Sequence, residues 1–275
     1  MSINRERLSA HIFSFAASSV AVRAQIDFEH GNAVNEAYAG PAAALPPTGG
    51  QAKKAVTRGG TRYLKHGKGD ASVSGTIDRS GNVATVTASA LVEGLAIRNT
   101  PTGFRAAHIQ ASTSTQRELG ETGSVNDFAS VKVTYRGLEI LRDGVVAVTI
   151  DPVVDLTLCG ISTLAKLEKE YQTNKSFFNS HGGRFMGRNT RKPRQFGIPI
   201  PRIRGPWVGC SVVESLLVNG VSVPGHIYDY PGLGRLVFGE MLIQENHRRL
   251  TALRIYLGCE FDGICEAADI DHNSN

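Results

Sequence analysis

The sequence predicts an all-β protein, its long strands either packed as a two-sheet sandwich or wound as a β-solenoid, with one short helix and a long basic inserted arm. Three observations carry this reading. Thirty glycines and 11 prolines among 275 residues, against one Trp and three Met, indicate many turns and few long helices. From Val83 to Ile97, Ala84, Val86, Ala88, Ala90 and Val92 alternate with Thr85, Thr87 and Ser89, the period-two signature of an extended strand with one buried face. Comparable runs recur behind glycine turns along most of the chain. A content of 41% hydrophobic and 20% charged residues is that of a globular protein and excludes disorder, collagen and a membrane helix bundle.

Between Arg7 and Arg23 lie 15 uncharged residues, LSAHIFSFAASSVAV. A basic residue before an apolar stretch resembles a signal peptide, but His11, four serines and the alternating apolar positions favour a first β-strand. Residues 31–70, rich in Gly, Pro and Ala and then basic from Lys53 to Lys68, read as a loop region. Ser72–Ile77 is the next strand, turning at Asp78-Arg79-Ser80-Gly81 into the long Val83–Ile97 run, where Gly94 interrupts the pattern as a bulge would. Small Ala side chains on the buried face imply close approach of whatever packs there. Phe104–Gln116 and Phe128–Tyr135 follow. Arg142-Asp143-Gly144 then precedes Val145–Ile150, and Asp-Gly between alternating runs is a strong hairpin signal.

Beyond Val153–Leu158, Leu164, Leu167 and Tyr171 fall at helical spacing from Ser162 to Asn174, with Ser162 as N-cap. The arm, residues 175–209, has prolines at 193, 199, 201 and 206 that forbid regular structure over most of its length. Strands resume at Ser211–Val218, Val221–Val223, Arg235–Glu245 and Leu250–Leu257, and residues 259–275 read as a mobile acidic tail. The order of elements from Val131 to Leu158 and from Val212 to Phe238 suggests a weak internal echo.

The net charge of +5 is unevenly distributed. Tyr171–Val213 holds eight basic residues and no acidic one, which leaves 22 basic and 25 acidic residues elsewhere. A local block of this kind favours an anionic partner or an acidic patch on a neighbouring copy. Four cysteines form an even set, but the chain is too large to need a disulfide framework and has no Cys-x-x-Cys pair; Cys259 and Cys265 flank a short segment that a disulfide could close in an oxidising compartment. Gly60–Gly69 misses the spacing and the hydroxyl of a phosphate-binding loop. No Gly-x-Ser-x-Gly or His-Glu-x-x-His occurs, and no metal set or cofactor motif is recognised.

One constellation stands out. Arg184, Arg188, Arg191, Lys192, Arg194, Arg202 and Arg204 are interleaved with Phe177, Phe178, Phe185, Phe196 and Trp207. Such mixtures bind nucleic acid or another anionic polymer by charge and stacking, and also serve in interfaces between subunits. The bland reading is a solvated loop.

Several blocks of the chain resemble a known family. They are Gly40-Pro41 through Leu45-Pro46-Pro47-Thr48-Gly49-Gly50; Val86–Ile97 followed by Ala106–Thr115; Leu217-Val218-Asn219-Gly220-Val221-Ser222-Val223-Pro224-Gly225; Tyr230-Pro231-Gly232-Leu233-Gly234-Arg235-Leu236-Val237-Phe238; and Leu250–Ile255. Their order, over about two thirds of the chain, resembles that of the choice-of-anchor P bacterial proteins. The resemblance implies an exported, β-rich surface protein without enzymatic activity, although this chain shows no clear signal peptide, sorting motif or membrane helix. The expectation is a single β-rich domain over residues 1–275. Its role would be structural and extracellular or at the cell surface, with copies of itself as partners through strand edges and the arm. An anionic glycan- or nucleic-acid-binding module is the alternative, and a phage or virion component the second.

Overall fold

A computed structural model describes residues 14–28, 36–98, 101–119, 125–160, 169–170, 172–176, 180, 184–189, 207–244, 247–258 and 261–274. Two large antiparallel sheets pack face to face as a sandwich, with no closed barrel. The strands are β1 (Phe15–Phe28), β2 (Glu36–Ala39), β3 (Ala42–Ala44), β4 (Gly50–Val56), β5 (Gly59–Gly60), β6 (Leu64–His66), β7 (Gly69–Ile77), β8 (Val83–Arg98), β9 (Thr102–Glu118), β10 (Val125–Arg142) and β11 (Val145–Val154). After a 3-10 turn at Thr157–Gly160 come β12 (Phe185–Asn189), β13 (Trp207–Ser211), β14 (Val213–Val218), β15 (Val221–Pro224), β16 (Ile227–Tyr230), β17 (Gly234–Gln244), β18 (His247–Leu257) and β19 (Phe261–Ser274). Sheet A runs β12-β13-β17-β18-β19-β1-β2, with β3 beside β1 and β16 beside β17. Sheet B runs β15-β14-β11-β10-β9-β8-β6-β5, with β7 beside β8 and β4 beside β7.

The alternation read from the sequence holds, with one slip. In β8 the buried positions are even from Ala84 to Val92 and odd at Leu95 and Ile97. β9 buries Phe104 and Ala106, then Ile109 and Ala111, and β10 buries Val131 and Val133, then Leu138 and Ile140. The slip falls at Gly94, Ala107 and Gly137, which lie side by side across the sheet; Gly94 and Gly137 have φ of 62° and 58°. Sheet A carries the same device at Ala21, Ala268, Ala252 and Gly239, where Gly239 and Ala268 have φ of 60° and 51°. Because every strand of the row carries the extra residue, the ladder stays in register while the core-facing parity changes.

The core between the sheets is dominated by aliphatic side chains, with Phe15, Phe104 and Phe238 among them. Polar pins cross it. Tyr135 Oη donates to the Ala252 carbonyl at 2.6 Å, and Ser19 Oγ to the Ser72 carbonyl at 3.2 Å. Thr113 and His272 share a hydrogen bond from β9 to β19. His66 Nδ1–H donates to the Gly67 carbonyl at 2.7 Å, so its Nε2 is the acceptor for Tyr38 Oη at 2.6 Å.

Several sequence expectations are corrected. Of the expected mobile tail, 259–275, the residues Phe261–Ser274 instead form β19, an inner strand of sheet A between β18 and β1. Its acidic residues misled because two of them, Glu266 and Asp269, are neutralised by arginines of neighbouring strands. The loop region 31–70 holds β2 to β6, whose shortness hid their alternation. The described part of 175–209 contains β12 and β13. The Cys259–Cys265 disulfide is not formed; Cys265 is a free thiol packed on the core side of β19, and burial pushes its pKa well up. Cys259 lies outside the described residues. The internal echo does not extend to topology, since Val212–Phe238 contributes β14 and β15 to sheet B but β16 and β17 to sheet A. Of the expected helix, residues 169–170 and 172–173 are helical, and Asn174 N donates to the Glu170 carbonyl at 3.0 Å; most of the remainder lies outside the described residues. Asp143 and Gly144 form the expected hairpin turn, with φ of 52° and 80°.

Two predictions follow from these contacts. A Cβ on Gly137 would sit 2.9 Å from Ala107 Cβ in a left-handed conformation, whereas one on Gly144 would meet nothing within 4 Å. Gly137→Ala should therefore cost about 2–4 kcal/mol and Gly144→Ala about 1 kcal/mol, read by urea unfolding. Burial pushes His272 from 6.5 down to about 4; Asp271 opposes the shift and His247 adds to it. The fold favours the neutral ring, so this stabilisation is complete above pH 6.5 and is lost as pH falls towards about 4. Between about pH 7 and pH 4.5 wild type should lose on the order of 3 kcal/mol more stability than His272→Gln; equal slopes would refute this.

Candidate functional site

The outer face of sheet A carries an ionic cluster that the slip row assembles. Arg254, Glu266 and Arg23 stand in register on β18, β19 and β1, on one side of the row. Glu240, Thr251 and Asp269 stand in register on β17, β18 and β19, on the other. In a regular strand, residues three apart point to opposite faces. The extra residue at 239, 252 and 268 brings cation–anion–cation and anion–hydroxyl–anion onto one face.

The contacts are dense. Arg254 reaches Glu266 at 2.8 Å and pairs with Glu240. Arg249 spans Glu266 at 3.0 Å and Asp269 at 2.9 Å, and Thr251 Oγ1 donates to Asp269 at 2.7 Å. Arg23 pairs with Glu266 and contacts Asp269 at 3.0 Å. Arg254, Glu240, Glu266 and Asp269 are all buried. Burial holds the Glu240 carboxyl above its usual range, and the nearby Arg254 and Arg249 draw it back. Burial works against the Arg249 charge as well, but Asp269 and Glu266 outweigh it and the net shift is upward. Three guanidinium and three carboxylate groups thus form one network of ion pairs, and the cluster's chemistry is cohesion between four strands.

The arm residues have separate fates. Arg184 is 2% exposed and no surface ligand: its Nε donates to the Ser211 carbonyl at 3.0 Å, one terminal nitrogen pairs with the Asp155 carboxylate at 2.5 Å and the other bonds the Asp155 carbonyl. Burial raises the Asp155 carboxyl, but the Thr157 hydrogen bonds and the Arg184 charge hold it low overall. Trp207 is 6% exposed, in β13 between Asn189 and Gln244, and offers no face for stacking. The two were misassigned because composition cannot separate a basic strand end from a basic loop. Arg188 lies on β12, opposite Val208. Arg191, Lys192, Arg194, Arg202 and Arg204 lie outside the described residues. Asn189 pairs directly with Trp207, so residues 190–206 join the two strands of an edge hairpin.

The ionic cluster itself was missed. On β18 Arg249 and Thr251 stand five and three residues before Arg254, and on β19 Glu266 stands three before Asp269, so only a slip in the alternation, legible at Gly94 but not at Ala252 or Ala268, puts them on one face. Among the described residues no group of three His, Cys, Asp or Glu is placed to hold a metal ion. Compared with known proteins, the chain matches no family model, no curated protein and no solved structure.

Removing Arg184 takes away the guanidinium that serves Asp155 Oδ2 and the Asp155 and Ser211 carbonyls, while Thr157 still donates to Asp155 Oδ1. Arg184→Ala should cost about 3–5 kcal/mol in urea unfolding, and Arg184→Lys should recover less than half of it, because an ammonium cannot span three acceptors with a planar fork.

Proposed function

We propose that this chain is a non-enzymatic structural protein that associates with copies of itself through strand edges and through the basic stretch 190–206. The observation that carries the reading is the position of that stretch. It joins β12 to β13, and β12 is the end strand of sheet A, a row of backbone groups to which a neighbour's strand can add. The opposite kind of edge supports it as well. Sheet B ends in β15, Val221–Pro224, which bears no charge and whose Val221 is 67% exposed. Natural edge strands are commonly blunted with charge, and β4, with Lys53 and Lys54, has that protection. The resemblance to choice-of-anchor P proteins supports placing the assembly outside the cell or at its surface.

The test replaces residues 190–206 with an Asn-Gly turn, which the direct pairing of Asn189 with Trp207 makes geometrically feasible. Size-exclusion chromatography and electron microscopy of wild type should show multimers. The loop replacement, Val221→Lys, or their combination should shift them towards monomer. An unchanged monomer in every case would end the proposal.

A further inference from the structure

The second cationic feature of the chain is fully placed. β4 and β5 run antiparallel to β7 and β6 as an edge ribbon of sheet B, with Lys53 opposite Ser72, Val56 opposite Gly69, and Gly60 opposite Lys65. Residues 50–70 carry six basic side chains, at 53, 54, 58, 62, 65 and 68, and one acid, Asp70. Their balance of +5 equals that of the whole chain, so the other 254 residues sum to zero. All six cations are exposed. Asp70 is taken by Lys53 at 3.1 Å, and the acid across from Lys68, Glu93, faces His108 at 3.7 Å. Among the described residues Lys54, Arg58, Arg62, Lys65 and Lys68 are left as a rail of like charge around the rim of the ribbon, Lys65 on its outer face and Lys54, in register with the buried Ala71, on the other side.

Beside the rail lies a neutral hydroxyl field. On the outer face of sheet B, Gln51, Ser74, Thr87, Ser114 and Ser130 stand in register as one row; Ser72, Ser89 and Ser112 stand between Lys53 and Lys132 in the next. Strand geometry spaces these groups about 4.8 Å across the sheet and about 6.8 Å along it. Lys53 and Lys65 share this face, in register with Ser72 and Ala96.

We propose that the β4–β7 ribbon docks a linear acidic polysaccharide, its sulfates or carboxylates on the rail and its sugar hydroxyls on the adjoining Ser/Thr/Gln rows. Charge complementarity supplies the attraction. The choice of glycan over nucleic acid rests on the face itself. Single strands are held by aromatic platforms, and Tyr63, at the ribbon's tip, has its ring capped by Arg62 at 5.3 Å. Small hydroxyls in regular rows, of which Ser74 and Thr87 already bond each other, suit a partner that presents hydroxyls. This site goes beyond self-association and does not depend on it.

The test measures binding of the full chain to dextran sulfate, uncharged dextran and a poly(dT) oligomer of similar length. Dextran sulfate should bind, uncharged dextran should not, and affinity should fall steeply between about 50 and 200 mM salt. Replacing Lys54, Arg58, Arg62, Lys65 and Lys68 by Gln should weaken binding about tenfold or more while leaving the urea midpoint in place, since all five are exposed. Ser72→Ala/Ser89→Ala/Ser112→Ala should weaken it several-fold with the salt slope unchanged. The 190–206 replacement, which keeps the rail, should retain binding. Poly(dT) bound as tightly as dextran sulfate, undiminished binding by the five-fold Gln variant, loss of binding in the 190–206 replacement, or no binding to dextran sulfate would each overturn the proposal.

Discussion

One constraint organises this molecule: in each large sheet a run of neighbouring long strands, β8–β10 in sheet B and β17, β18, β19 and β1 in sheet A, shares a row in which each strand carries one extra residue. A period-two chain can bury one parity only, and a long strand that bends around a core would carry its apolar side chains out of contact. The shared insertion at Gly94, Ala107 and Gly137 resets the parity in sheet B without costing the ladder its register. Sheet A does the same with Ala21, Ala252, Ala268 and Gly239. Small residues suit both rows because Gly94, Gly137, Gly239 and Ala268 have positive φ, and a Cβ on Gly137 or Gly239 would press on Ala107 or on Val212 and Val213.

The same row explains why sheet A can hold charge in a buried layer. Arginines at 23, 249 and 254 and carboxylates at 240, 266 and 269 would divide between two faces in an uninterrupted sheet. Brought together, they neutralise one another; apart, several would be unpaired in the core. On the inner side a few polar bonds do a comparable task. Tyr135 to Ala252, Thr113 to His272 and Tyr38 to His66 fix where one sheet sits on the other, which aliphatic packing alone specifies loosely.

Much of the architecture was legible in the sequence. The Ala/Val alternation from Val83, the Asp143-Gly144 turn and the interruption at Gly94 are local signals, and the structure places them as read. What failed was long range. Glu266 and Asp269 look like a solvated tail until Arg23, some 240 positions away, is known to lie beside them. Arg184 looks like an arm residue until Asp155 is seen to hold it. Charge in a sequence marks solvent only when its counter-charge is absent, and partners on distant strands leave no trace in spacing.

The pairing of β1 with β19 joins Phe15 to Ser274 and Phe28 to Phe261, almost the full length of the chain apart. During synthesis every neighbour from β4 to β11 is available within sheet B long before β19 emerges from the ribosome. Sheet A must wait with its middle open, and Arg23, Arg249 and Arg254 have no Glu266 or Asp269 to meet until β19 is made. Closure of the sandwich therefore waits on the arrival of β19, and its timing is set by topology rather than by the strength of any single contact.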